Sequence, residues 1–155
     1  MSTIFKIFLL LLVLIFSALL IRTSQLLWTD EQSQFTRGTV TVLPDGLYTG
    51  TVAGPSFSWK GKWFDRSGHT GINIFAGANG DMEKYPFTES VGSGVHDDIS
   101  VIRIDYNVSQ NPWWLRPVLD EVVEVAPGAY LGKLQLRIIP GYPFTLTYFT
   151  LTASS

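Results

Sequence analysis

Apolar positions in this chain follow two regimes: one continuous block at the start, then short alternating runs to the end. From Ile7 to Ile21 the block is interrupted only by Ser17 and Ala18, and Ile4 and Phe5 extend it across Lys6 to eighteen positions ending at Arg22. As a helix rising ~1.5 Å per residue these cover roughly 27 Å, sufficient for a bilayer core of about 30 Å if Lys6 snorkels to the interface. A cleaved signal peptide shares this layout of a basic residue, an apolar run and a polar exit, but an Ala-x-Ala-like pair should then follow the run. Instead Ala18 is followed by Leu19, Leu20, Ile21 and Arg22. The expectation is an uncleaved membrane anchor over residues 4–22, with a signal peptide as the alternative. The amino terminus and Lys6, set against Arg22, favour a cytoplasmic N-terminus and an exported domain, whether periplasmic, lumenal or extracellular.

Residues 23–44 are rich in Ser, Thr and Gln, carry Trp28 near the membrane edge and end in a short strand candidate, Thr39 to Leu43. This stretch reads mostly as a tether, with Trp28 as an interfacial anchor. From Asp45 onward, β-rich runs are punctuated by Gly, Pro and Asn, and no helical-period segment is long enough to cover a parallel sheet. The predicted strands are Leu47–Ala53, Phe57–Phe64, Gly71–Ala76, a weaker one at Phe87–Val91, Ile99–Val108, Leu119–Val125, Tyr130–Ile138 and Phe144–Leu151. The fold class is therefore all-β: a small antiparallel domain of about eight strands over residues 45–152, a sandwich or a closed barrel.

Alternation within the runs assigns faces. Ile102, Ile104, Tyr106 and Val108 oppose Arg103, Asp105 and Asn107; Phe57, Trp59, Gly61 and Trp63 oppose Ser58, Lys60 and Lys62; and Tyr130, Leu134, Leu136 and Ile138 oppose Lys133, Gln135 and Arg137. The expectation is an apolar interior and a charged exterior. Gly61 and Gly132 fall inside strands, where a missing side chain permits a bulge, a sharp bend or a closely approaching ligand. Asn111-Pro112-Trp113-Trp114-Leu115-Arg116-Pro117 breaks the β pattern, and Pro117 leaves room only for a single helical turn or an irregular flap.

Charge and composition narrow the function classes. Without Lys6 and Arg22, nine Lys and Arg face thirteen Asp and Glu, so the domain gains nothing from counterion release and a nucleic-acid partner is not expected. The chain has no cysteine, which excludes disulfides, thiolate metal sites, a cysteine nucleophile and a lipid attached to an N-terminal cysteine.

The segments Trp59-Lys60-Gly61-Lys62-Trp63-Phe64, Val101 to Asp105, Tyr130-Leu131-Gly132-Lys133 and Phe144 to Leu151 resemble a lipocalin-like, or calycin, β-barrel. More particularly, they are similar to small uncharacterised barrel families with a Trp-x-Gly-Lys-x-Phe signature. Gly46-Leu47-Tyr48 resembles the lipocalin Gly-x-Trp opening with Tyr48 in place of Trp, and Asp105-Tyr106 resembles part of its Thr-Asp-Tyr element with Ile104 in place of Thr. The resemblance implies a barrel that carries a hydrophobic small molecule. Similar barrels also serve as isomerases, cyclases or structural domains.

Eight aromatic residues are the ligand-binding candidates: Trp59, Trp63, Phe75, Tyr106, Tyr130 and Tyr148 as cavity lining, with Trp113 and Trp114 as a flap that closes a mouth or dips into the bilayer interface. Filling of the barrel by these side chains is the competing reading. No catalytic motif is present: Ser93 sits between glycines without a Gly-x-Ser-x-Gly elbow, and His96-Asp97-Asp98 reads as a solvated turn rather than a metal site. Asp120, Glu121 and Glu124 invite an acid–base reading; Glu121, placed by alternation beside Leu119, Val123 and Val125, and Asp105 are the candidates for a general base on an apolar substrate. The combined expectation is a membrane-tethered binding domain for a hydrophobic small molecule or lipid, with the bilayer as partner and no cofactor or metal. A cofactor-free isomerase or cyclase and an assembly module of a membrane complex are the alternatives.

Overall fold

In the computed structural model, residues 2–53 and 58–154 are described. Helices α1 (Thr3–Leu26) and α2 (Asp30–Arg37) precede strands β1 (Gly46–Val52), β2 (Trp59–Asp65), β3 (Thr70–Gly77), β4 (Gly80–Ser93), β5 (Ser100–Asp105), β6 (Val118–Ala126), β7 (Ala129–Ile139) and β8 (Tyr142–Ala153). Each strand pairs antiparallel with the next, and β8 returns to pair with β1, so the eight strands form a closed barrel. Closure removes the edge strands that an open meander would expose.

All eight predicted strands occur, and β4 is much longer than its apolar core at Phe87–Val91 suggested. Its polar first half, Gly80 to Lys84, still pairs with β3, and a register shift beside Tyr85 and Pro86 absorbs the proline. Tyr85 takes a positive φ of 61° at this irregularity.

One end of the barrel is tightly filled. Tyr48, Phe64, Phe87, Tyr106 and Tyr130 point inward, and successive rings meet edge-to-face at centroid separations of 5.4 to 5.8 Å. Ile102 and Ile104 complete this core with Tyr106, as alternation on β5 indicates.

On β2 the predicted faces hold only up to Gly61. Trp59 pairs with Phe75 and Gly61 with Ile74, so one extra residue is inserted on β2 between them. Beyond the bulge the parity reverses: Lys62 and Phe64 point inward, and Trp63 lies outside, 44% exposed. Gly61 makes this possible with φ +145°, where an added Cβ would lie 1.9 Å from the Tyr48 carbonyl oxygen. Phe57, expected on the inner face, lies outside the described residues.

The stretch expected to be mostly a tether carries structure of its own. Helix α1 runs past Arg22 to Leu26, and α2 follows with Thr29 as its N-cap and Asp30 and Glu31 in its first turn. Phe35 on α2 is fully buried against Val123, Leu131 and Tyr148, and Thr39 makes a single bridge to Glu124 in place of a strand. This layer covers the outer face of β6 to β8. The charged exterior expected there is consequently buried: the Lys133 ammonium pairs with Asp97 and lies 4.1 Å from the Phe35 ring centroid. Gln32 donates to Asp97 at 2.6 Å and accepts from the Tyr148 hydroxyl. Residues 4–15 of α1, by contrast, leave nearly every side chain exposed, and the helix is long and apolar enough to span a membrane.

Candidate functional site

The other end of the barrel is hollow. Past the bulge on β2 the inward side chains ring an open space, a cavity of about 520 Å³. Its mouth is framed by Trp59, Phe75, Tyr85 and Trp114, and its walls are Val52, Val118, Leu134 and Phe149. The volume lies within the range of small-molecule sites. Trp114 comes from the flap after β5. Asn111 pins that flap by donating through Nδ2 to the carbonyls of Pro86 and Tyr106 at 2.7 and 2.8 Å, and Trp114 packs edge-on against Tyr85.

At the floor of this apolar chamber sits one polar cluster. Lys62 Nζ donates to Asn73 Oδ1 at 2.9 Å and to the Tyr106 hydroxyl, and lies 3.1 Å from Asp120 Oδ2. Those three contacts use every donor of the ammonium. Rings of Trp59, Phe87, Tyr106 and Phe149 surround the same nitrogen at 5.1 to 5.6 Å from their centroids. Asn73 is held by Trp59 Nε1, which donates to its Oδ1 at 3.0 Å, and by its own donation to the Tyr85 carbonyl. Asp120 accepts from the Tyr106 hydroxyl at 3.2 Å through Oδ2, whereas its Oδ1 is buried without a partner among the described residues.

Burial dominates the electrostatics of this cluster. It pushes Lys62 below the ordinary ammonium range and Asp120 above the ordinary carboxylate range, each opposed by attraction to the other. Tyr106 is raised well above a free phenol by burial and by the adjacent Asp120 charge. The cluster therefore holds its protons between partners beneath an almost wholly apolar lining, with Asp120 Oδ1 buried inside it.

No protein-family model and no curated protein sequence matches the chain. Its fold is similar to that in a crystal structure of a protein from Thermomonospora curvata, at 15% identity and a TM-score of 0.56, covering 80% of this chain and 85% of that one. At this identity the likeness extends to the fold alone.

The structure brings together four of the eight aromatic candidates: Trp59, Phe75, Tyr106 and Trp114 all line the cavity. Trp63 is turned outward by the bulge, and Tyr130 is inside the barrel but packed on Tyr48 in the filled end. Tyr148 faces the outer helical layer, and Trp113 is 80% exposed on the flap.

Both carboxylates singled out as bases lie outside the chamber. On β6 it is Val118, Asp120 and Val122 that face inward, so Glu121 belongs to the opposite parity with Leu119 and Val123. Glu121 is buried beneath the outer layer, accepting from the Val95 amide at 2.8 Å and from Gln135 at 3.4 Å. Alternation alone cannot separate the two faces of β6, because both are covered. Asp105 is half-exposed in a bidentate pair with Arg137. Sequence reasoning missed Lys62 and Asn73, and on β6 it took Glu121 rather than its neighbour Asp120 as the inward carboxylate. Gly61 within β2 was the available signal for Lys62, since a bulge there inverts its face. Among the described residues no cluster of His, Asp and Glu side chains has metal-site geometry.

Proposed function

We propose that this chain is a membrane-tethered, lipocalin-like binding domain for a single amphiphilic lipid or apolar small molecule, with α1 as the uncleaved anchor and the barrel on the exported side. One observation carries the reading: an apolar chamber of about 520 Å³ closed at its floor by a buried, mutually compensated Lys62–Asp120 pair whose ammonium donors are all in use. A guest with an apolar body and an uncharged polar end matches that lining. A fatty-acid carboxylate does not, because it would bring a second anion against Asp120 with no ammonium donor left to receive it.

The test uses the full chain in phosphatidylcholine nanodiscs with the neutral fluorophore N-phenyl-1-naphthylamine, corrected for empty discs. The fluorophore should bind with one site per barrel, and dodecanol should displace it at a concentration at least about tenfold lower than dodecanoate, a difference of ~1.4 kcal/mol. Leu134→Trp, which projects a large ring into the chamber, should abolish binding while the far-ultraviolet circular dichroism is unchanged. Equal binding by native chain and Leu134→Trp would place the fluorophore elsewhere and end this reading.

A further inference from the structure

The contacts of α1 reveal which end of the barrel its spanning part passes. Taken from its C-terminus backward, the Leu26 carbonyl lies 3.5 Å from the Tyr148 hydroxyl, Thr23 exchanges hydrogen bonds with the backbone of Thr145, and Arg22 Nε donates to the Leu146 carbonyl at 3.1 Å. The Phe16 ring then lies 6.1 Å from that of Phe144. The helix thus retreats along β8 toward its first residues, and residues 4–15 continue beyond the turn that joins β7 to β8. That turn is at the end of the barrel where the cavity opens.

The same end carries apolar side chains that no part of the described chain covers. Ile138, Ile139 and Tyr142 of the β7–β8 turn are 43%, 40% and 39% exposed, and Trp113 and Trp114 on the flap are more so. Exposed apolar residues also occur at the far end, Leu47 and Val125 among them, but no spanning helix leads there. Depth follows from the helix rise: Phe16 precedes Ile21 by five residues, so its partner Phe144 lies roughly 7 Å inside the membrane edge when Ile21 marks that edge.

We propose that the cavity mouth rests at the boundary between headgroups and acyl chains of the bilayer that α1 spans, so that the occupant passes from the membrane into the barrel without crossing water. The inference rests on the reading of α1 as an anchor and of the cavity as a lipid site. It assigns to Trp113, Trp114, Ile139 and Tyr142 the interfacial role that Trp28 would fill next to a flexible tether.

The absence of native cysteine permits a direct test. Trp113→Cys and Ile139→Cys at the mouth and Leu47→Cys at the far end are labelled singly with bimane, and each full-length chain is reconstituted in phosphatidylcholine vesicles. Doxyl-labelled lipid should remove most of the emission at 113 and 139 and little at 47, whereas aqueous iodide should quench 47 and spare the other two. Iodide access at 113 and 139 equal to that at 47 overturns the proposal, as does recovery of the membrane-bound chain without residues 4–22. N-phenyl-1-naphthylamine binding in the same vesicles separates the two ideas. Binding with an iodide-accessible mouth leaves the cavity reading standing and removes the membrane-facing mouth; a lipid-quenched mouth without binding does the reverse.

Discussion

Glu89 is buried, and neither of its carboxylate oxygens has a partner among the described residues. Burial raises its pKa to about 7, opposed by Arg66 and reinforced by Asp45 and Asp65. The folded state therefore keeps this proton to higher pH than the unfolded chain does. Its stabilising contribution is complete below the ordinary glutamate pKa of about 4.3 and is lost as pH rises through about 7, a change on the order of 3 kcal/mol. Glu89→Gln should remove that part of the pH dependence and be more stable than the native chain at pH above about 7, as measured by denaturant titration across the range. The Lys62–Asp120 pair behaves differently, because each charge compensates the other. Lys62→Met should cost ~3–5 kcal/mol by leaving Asp120 alone in the chamber, and Lys62→Met with Asp120→Leu should cost less than the two single changes together. A double-mutant cycle on unfolding free energies measures that coupling.

At the scale of elements, the bulge on β2 and the placement of α2 decide the site. Gly61→Ala meets the Tyr48 carbonyl, a backbone atom that no rotamer change can move, so β1 and β2 must separate around the Thr49–Gly61 pair. A loss of ~3 kcal/mol or more is expected, with faster amide exchange along β1 and weakened probe binding as Lys62 loses its inward register. Helix α2 acts from outside: its Phe35 seals the Lys133–Asp97 pair and packs on Tyr148. Phe35→Ala should lower stability by ~3–5 kcal/mol in thermal unfolding, since cavity formation adds to the transfer term. The segment between the apolar run and the barrel is thus a structural layer, and its serines, threonines and glutamines misled because capping and outer-face contacts use those residue types too.

The whole molecule is a barrel filled at one end and hollow at the other, with the apolar helix leaving past the hollow end. Such an asymmetric core should respond to its guest as a unit. Dodecanol should raise the unfolding midpoint with concentration, reaching a stabilisation of ~2.7 kcal/mol at about one hundred times its dissociation constant, and Leu134→Trp should not respond. Calorimetry of the reconstituted chain distinguishes the two.

Much of this was legible in the linear pattern. The run from Ile4 to Ile21, eight strands and the inward set Ile102, Ile104 and Tyr106 follow from periodicity, because helix and strand repeats are local properties of successive side chains. What lay outside its reach has one physical cause: local parity assigns a residue to one of two faces but does not say what covers each face. On β6 both faces are buried, so only the closed barrel places Asp120 in the chamber and Glu121 under α2. On β2 a single inserted residue turns Lys62 inward. Its meeting with Asp120, some sixty residues later in the sequence, depends on closure of the sheet, which brings β2 and β6 to face each other across the cavity.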